Sequence, residues 1–406
     1  MASIDTDPQA PPSFNWGMLF SDTRYRGITF QIIALIALVF FFGWLGFNAF
    51  YNLQALGKDI SFEFLGQQAN YDINPALIEF SSVDTHFRAA IVGVLNTLLV
   101  AFLGCVTATV LGVIVGVLRL SNNWIVARLM AVYVEIFRNV PLLIWILIII
   151  SAVSISMPHP RSFAGDDATS SMLFGAFAFT NQGVYLPKPI WLEGSSVVVG
   201  VFIASLVGIV AVRRYAVYAL YNKGQEIPSG WISLGLFFVP VILAFFIMGR
   251  PIDLEFATLS RFGFRGGVHV LDTLIALWLA LSLYTGAFIA ENVRGGIISV
   301  SKGQTEAAAS LGLRPGRIMS LVVLPQALRV IIPPLISQYL NLTKNTSLAA
   351  AIGYADITGT LGGVTLNQTG RSFEAVLLMM VFYLLISLTI SLVMNVYNNT
   401  VKLKER

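Results

Sequence analysis

Charge is scarce in this sequence. Only 11% of its 406 residues are Asp, Glu, Lys or Arg, where a soluble globular protein carries about 25%. Hydrophobic residues make up 56% of the chain and the mean hydropathy is +0.77, so the class indicated is a polytopic membrane protein. Cysteine is nearly absent. Cys105 stands alone, which excludes an internal disulfide framework, and its apolar surroundings make it a packing residue. His86, His159 and His269 are far apart and make no metal-ligand spacing, so no metal site is expected. The chain has no G-x-x-x-x-G-K-[ST], which excludes ATP binding through a P-loop of its own, and neither H-E-x-x-H nor G-x-S-x-G. No enzyme constellation and no cofactor site follow. The net charge of +4 is assigned to basic cytoplasmic loops and not to nucleic acid.

What is present is a series of long apolar runs, which predict an all-α integral membrane protein. The runs are 28–50, 88–118, 128–155, 195–212, 231–249, 269–294, 326–350 and 373–397. Each is long enough to cross about 30 Å of hydrocarbon. The first run, Ile28 to Phe50, is too long for a signal-peptide h-region and follows a polar, Pro-rich start with Arg24 and Arg26, so no cleavable signal is expected. Basic residues orient the spans. Arg24 and Arg26, Arg119 and Arg128, Arg213, Arg214 and Lys223, Lys302, Arg314 and Arg317, and Lys402, Lys404 and Arg406 all fall on one side if residues 1–27 are a cytoplasmic tail. The opposite segments are more acidic: Asp59, Glu63, Asp72, Glu79 and Asp84 lie in the periplasmic segment 51–87, and Asp166 and Asp167 in the next. Eight spans return the C-terminal tail 398–406 to the cytoplasm. Residues 158–262 read as an insertion carrying two sparsely decorated spans, 195–212 and 231–249.

The cytoplasmic loop 295–325 carries its own local instructions. Ser301 with Gln304 three residues later reads as a capping box, Glu306-Ala307-Ala308-Ala309 favours helix, Gly312 suits a left-handed C-cap, and Pro315 is tolerated at the start of a following helix. Polar residues inside the spans are costly unless paired or facing water. Glu135 and Arg138 share a helix face beside Asn139 and ahead of Pro141, and Glu291 and Arg294 repeat the spacing. Two readings stand: self-neutralised pairs at helix ends, or pairs that meet across a translocation path as an inner gate. Lys344 in the seventh run either snorkels or, with Thr346 and Ser347, meets a substrate carboxylate. Asn96 and Thr97 are further candidates to line a cavity. Glu306 is either a solvated residue of a first helical turn or a docking contact.

Glu306-Ala307-Ala308, then Gly312, then Val322-Val323-Leu324-Pro325, resembles the EAA loop of ABC-importer permease subunits, with Val322 where isoleucine is common. Asn96-Thr97-Leu98-Leu99, Glu135 to Leu143, Glu291 to Gly296 and Lys344-Asn345-Thr346-Ser347-Leu348 resemble the polar amino-acid uptake branch, the histidine/glutamine-type permeases. The resemblance covers residues 88–397. It implies a type-I importer permease core of five helices, here with an extra first helix at 28–50 and the two-helix insertion. That enlarged form resembles the larger permease subunit of general L-amino-acid and glutamate/glutamine/aspartate/asparagine importers. It further implies a bacterial inner-membrane location, and as partners a second permease subunit (another chain or a copy of this one), two ATPase subunits that bind the ATP, and a periplasmic amino-acid-binding protein. Gln304, Glu306, Ala307, Ala308, Gly312 and Pro325 would couple to the ATPase. The competing classes are an ion-coupled secondary amino-acid transporter, for which Glu135 and Glu291 are the acidic residues, and a membrane scaffold without a transport path.

Overall fold

The structure is a computed structural model and describes residues 16–55, 57, 59–163, 169–260 and 263–401. Asp166, Asp167, Lys402, Lys404, Arg406 and most of the tail 1–27 lie outside the described residues. The chain divides into two compact units, 1–64 and 65–406. The long helix of the first unit is α1, Thr23–Ala55, in which no residue is buried within the protein. Its Leu35, Phe40 and Phe47 are all exposed, which suits a helix meant for hydrocarbon on every side.

In the second unit the long helices are α2, His86–Leu118; α3, Trp124–Asn139; α4, Leu142–Ser156; α5, Ser195–Lys223; α6, Ser229–Ile247; α7, Asp272–Ile298; α8, Lys302–Ser310; α9, Leu324–Asn345; and α10, Ser372–Val401. Eight helical segments among the described residues are long and apolar enough to cross a membrane. Two spans differ from the expectation. The run 128–155 is not one helix: α3 ends at Asn139 and α4 starts at Leu142. Pro141 explains the break. It lacks an amide donor and forces the preceding residue out of the helical region, and Val140 is extended at φ −107°, ψ 133°. The α3 segment is not among the membrane-spanning candidates, so Glu135, Arg138 and Asn139 lie outside the apolar span that was expected to hold them. The run 326–350 is likewise part of a longer composite, Pro315–Ile352, in which α9 is flanked by a π-helical turn at Met319–Val323 and a 3-10 turn at Thr346–Ile352. Pro325 leaves the Leu321 carbonyl without its usual donor, which accounts for the wide turn just before it.

The core is built on α2 and α7. Gly112 and Gly116 are four apart and face α7 closely. A Cβ at Gly112 would fall 2.5 Å from Ile289, and one at Gly116 would fall 2.7 Å from the Ala290 carbonyl. Small residues at this spacing let two helices approach to backbone contact, where dispersion and not water release drives packing. Leu277, Leu281, Ile289, Ile331 and Leu342 complete the main cluster, with Ile146 of α4 and Tyr354.

The insertion also departs from an all-helical picture, since it contains short strands. β1, Ala178–Thr180, pairs with β2, Gly183–Leu186, and β2 pairs with the last strand, Val268–Leu271. The strand Lys188–Trp191 pairs with Ile252–Glu255. The outgoing and returning chains therefore zip together on either side of the α5–α6 hairpin. Phe179, Val184, Tyr185, Ile190 and Trp191 are strand-favouring residues, a local signal masked by the search for long spans.

Candidate functional site

The loop between α7 and α9 forms a helix followed by a sharp turn. Ser301 is the N-cap of α8, but its hydroxyl makes no capping bond, so the expected capping box does not form; the first turn closes through the Gln304 amide on the Ser301 carbonyl at 3.1 Å. The other end behaves as its glycine dictates. Gly312 has φ +77°. Its amide donates to the Ala309 carbonyl at 2.9 Å and the Leu313 amide to Ala308 at 3.4 Å. Those are the two bonds of a Schellman motif, and its apolar partner contact is present as well, because Leu313 packs into a cluster with Ala308, Ile318 and Val323. Pro315 opens the next turn as its first residue.

This packing sorts the loop residues. Ala308 is buried and holds α8 against the cluster, whereas Gln304, Glu306, Ala307 and Pro325 are exposed. Gln326 donates to the Gln304 side chain at 3.4 Å and ties α8 to the start of α9. The same loop leaves apolar surface uncovered: Leu311 is 81% exposed and Leu321 60%. A rigid short helix, one carboxylate and an apolar rim make a surface fit for a protein partner.

Below the loop lies a charge cluster. Glu291 Oε1 accepts from Arg294 Nε at 3.1 Å and Nη2 at 2.5 Å. Its Oε2 is bonded by Arg119 Nη1, at the end of α2. Arg138 Nη1 stands 4.0 Å from the same oxygen, and its guanidinium lies 5.4 Å from the Phe288 ring centroid. The spacing argument predicted both pairs: Glu291–Arg294 forms, whereas no Glu135–Arg138 ion pair is present among the described residues. Glu135 instead accepts from Asn139 at 3.2 Å, and both are exposed. Of the two pairs, only Glu291 and Arg138 meet. Arg119, read from the sequence only as a loop charge, is the residue missed.

A second polar region surrounds residues 341–360. Asn96 and Thr97 do not line a cavity, as was expected of them; both are fully buried. Asn96 donates to the Pro75 and Ala355 carbonyls at 2.8 Å each, and Thr97 accepts the Ile357 amide at 3.2 Å. They clasp the non-helical segment after Gly353, whose polar backbone would otherwise be unsatisfied. Thr346 is also fully buried, with its hydroxyl bonded to the Thr343 carbonyl at 2.8 Å, so it does not face a path. Lys344 and Ser347 instead line open cavities. Lys344 is exposed and lines an open cavity of about 630 Å3 with Met379, Tyr383 and Ser387. It lines a second, of about 440 Å3, with Ser347, Thr358 and Tyr383. Behind Tyr383 sits Asp356, fully buried, accepting from the Tyr383 hydroxyl at 3.1 Å and the Gly359 amide at 2.8 Å. The sequence reading missed Asp356, Thr358 and Tyr383. A lone acid between two apolar runs, in Gly353-Tyr354-Ala355-Asp356, was the available signal.

The family model of the binding-protein-dependent transport system inner membrane component matches residues 196–402. The chain belongs to this family. It is 49% identical to the glutamate/glutamine/aspartate/asparagine transport system permease protein of Rhodobacter capsulatus, with the whole of both chains covered. It is 41% identical to the general L-amino acid transport system permease protein of Rhizobium johnstonii, over 100% of this chain and 99% of the relative. A putative amino-acid ABC transporter permease protein of Escherichia coli is 42% identical, over 95% and 97%. This multi-pass membrane protein is therefore an ABC-importer permease subunit, and the ion-coupled carrier loses its ground. The expected resemblance to the larger permeases holds across the full length. Membership implies an ATPase and a binding protein as partners.

Proposed function

We propose that this chain is one permease subunit of an ATP-driven importer of polar L-amino acids in a bacterial inner membrane, with both termini cytoplasmic. The observation that carries this reading is the loop at 302–325: a rigid, glycine-capped helix that offers Glu306 and an apolar rim to a partner, in a chain 49% identical end to end to an amino-acid permease. Two ATPase subunits grip this loop and its equivalent on a second permease subunit, and the ATP is bound and hydrolysed there, not by this chain. A periplasmic binding protein delivers the amino acid to the other face. ATP binding moves α8, and α8 moves α7 and α9, to which it is joined at both ends. Within the path, Lys344 meets the substrate carboxylate, with Ser347 and the Tyr383 hydroxyl beside it.

Reconstitution tests this. Proteoliposomes holding this chain, its partner permease and the ATPase subunits should accumulate acidic and amide L-amino acids only with ATP and binding protein present. Uptake without the ATPase subunits, driven by a sodium or proton gradient, would overturn it. Lys344→Ala should cut uptake at saturating binding protein while leaving ligand affinity of the binding protein unchanged.

A further inference from the structure

The hairpin of α5 and α6 carries none of the residues assigned above to coupling or to the substrate path. It packs chiefly on itself, with Phe202 and Phe237 rings 5.7 Å apart and the Leu236 side chain against Gly208. The end where residues 224–228 join the two helices holds a cavity of about 530 Å3, whose polar lining is Arg213, Glu226 and Ser229 and whose apolar wall includes Val217, Leu220 and Ile227. That volume lies within the range of about 300–1,000 Å3 for small-molecule sites.

Three features put this cavity at a membrane boundary. Helix α6 has 19 residues, so it extends about 28 Å at 1.5 Å per residue, close to the hydrocarbon thickness of about 30 Å. Its first residues, Ser229 and Gly230, line the cavity. Helix α5 outruns it: the apolar stretch ends at Val212, and Arg213 and Arg214 begin a polar, tyrosine-rich extension to Lys223. Tyr215, Tyr218, Tyr221 and Trp231 are all exposed along this level, as in the aromatic belts of membrane interfaces.

The charges then specify the occupant. Arg213 and Glu226 face one cavity, both are exposed, and no ion pair joins them among the described residues. Lys223 is engaged over the Tyr215 ring, 5.9 Å from its centroid. One cation and one anion held apart, beside an apolar wall, complement a phosphate followed by an ammonium and preceded by acyl chains. We propose that this cavity binds the headgroup of phosphatidylethanolamine. The Arg213 guanidinium takes the phosphate with two parallel donors. The Glu226 carboxylate accepts from the primary ammonium, and Val217, Leu220 and Ile227 cover the glycerol and the first methylenes. A basic pocket alone would select any anionic lipid; Glu226 turns that selection towards a zwitterion that can donate hydrogen bonds.

The test uses the full chain exchanged into nanodiscs of equal parts phosphatidylethanolamine, phosphatidylglycerol and phosphatidylcholine, then released for native mass spectrometry. The wild type should retain one phosphatidylethanolamine at an energy that strips the other two. Arg213→Ala should lower that adduct about tenfold, a loss equal to one good charged contact. Glu226→Gln should remove the preference over phosphatidylcholine, and Glu226→Asp should restore part of it. Both sites are exposed, and unchanged helical circular dichroism checks the fold; should Arg213→Ala not fold, Arg213→Lys, which keeps the charge and loses the paired donors, is expected to show a weaker adduct. Equal retention of the three lipids, preferential retention of phosphatidylglycerol, or a preference indifferent to Glu226→Gln overturns the proposal.

Discussion

Glu291 and Glu306 are fifteen residues apart, and the protein treats them in opposite ways. Glu291 is a hub. It is partly buried, and Arg119, Arg138 and Arg294 converge on its two oxygens from three helix ends. Glu306 is exposed on a helix fixed entirely by other means: the Gly312 turn, the Ala308 contact and the Gln304–Gln326 bond. A carboxylate surrounded by its own protein's cations is spent on holding that protein together. Glu306, on a rigid platform and with no such partner among the described residues, is left for another protein. The contrast separates the architecture of the bundle from the surface it presents, and substitutions on the two sides should behave accordingly.

The largest effect on stability is expected at Glu291. Glu291→Ala leaves three guanidiniums facing one another in a partly covered site, and removing one member of such a cluster costs about 3 kcal/mol or more. The purified subunit should melt well below the wild type, and Arg119→Ala should recover much of that loss in the double variant. If Glu291→Ala melts with the wild type, the hub is not structural. Next comes Gly312→Val. A β-branched residue at φ +77° costs about 1–3 kcal/mol of local strain, and the helix end refolds to avoid it. The transition temperature should fall only slightly, while ATP hydrolysis loses its stimulation by loaded binding protein. Retained stimulation would show that the angle of α8 does not matter.

How much of this was readable beforehand follows the range of the interactions. Gly312, Pro315 and the Ala run act within five residues, and the turn they describe is the one observed. Pro141 acts locally too, but 128–155 was read as one run across it, because the apolar stretch 142–156 hid the loss of one helix and the start of another. The Glu291–Arg294 pair is a spacing within one helix. Its bond to Arg119 joins residues 172 positions apart, and nothing local announces it. Asn96 and Thr97 were singled out because polar residues in a span need a reason. The reason was the backbone of residues 355–357, which only the folded chain brings to them. Asp356 was overlooked because no periodicity surrounds it.

The two remaining substitutions sharpen the comparison at its weak end. Arg138 touches the hub at 4.0 Å with its side chain about a third exposed, a geometry worth less than about 1 kcal/mol. Arg138→Ala should therefore shift the melting temperature far less than Arg119→Ala, and equal shifts would mean that Phe288, under the Arg138 guanidinium, carries more of the packing than the carboxylate. Glu306→Lys should be the quietest of all in the isolated subunit, within about 0.5 kcal/mol, as for surface positions without partners. Its effect belongs to the complex. Placing a cation at the proposed ATPase contact on α8 should weaken co-purification of the ATPase subunits and lower ATP-driven uptake by an order of magnitude or more, with the melting curve of the permease unchanged. A melting temperature that falls together with uptake would make Glu306 another structural carboxylate and erase the distinction from Glu291. Uptake that persists with the ATPase still bound would move the docking contact to the apolar rim at Leu311 and Leu321.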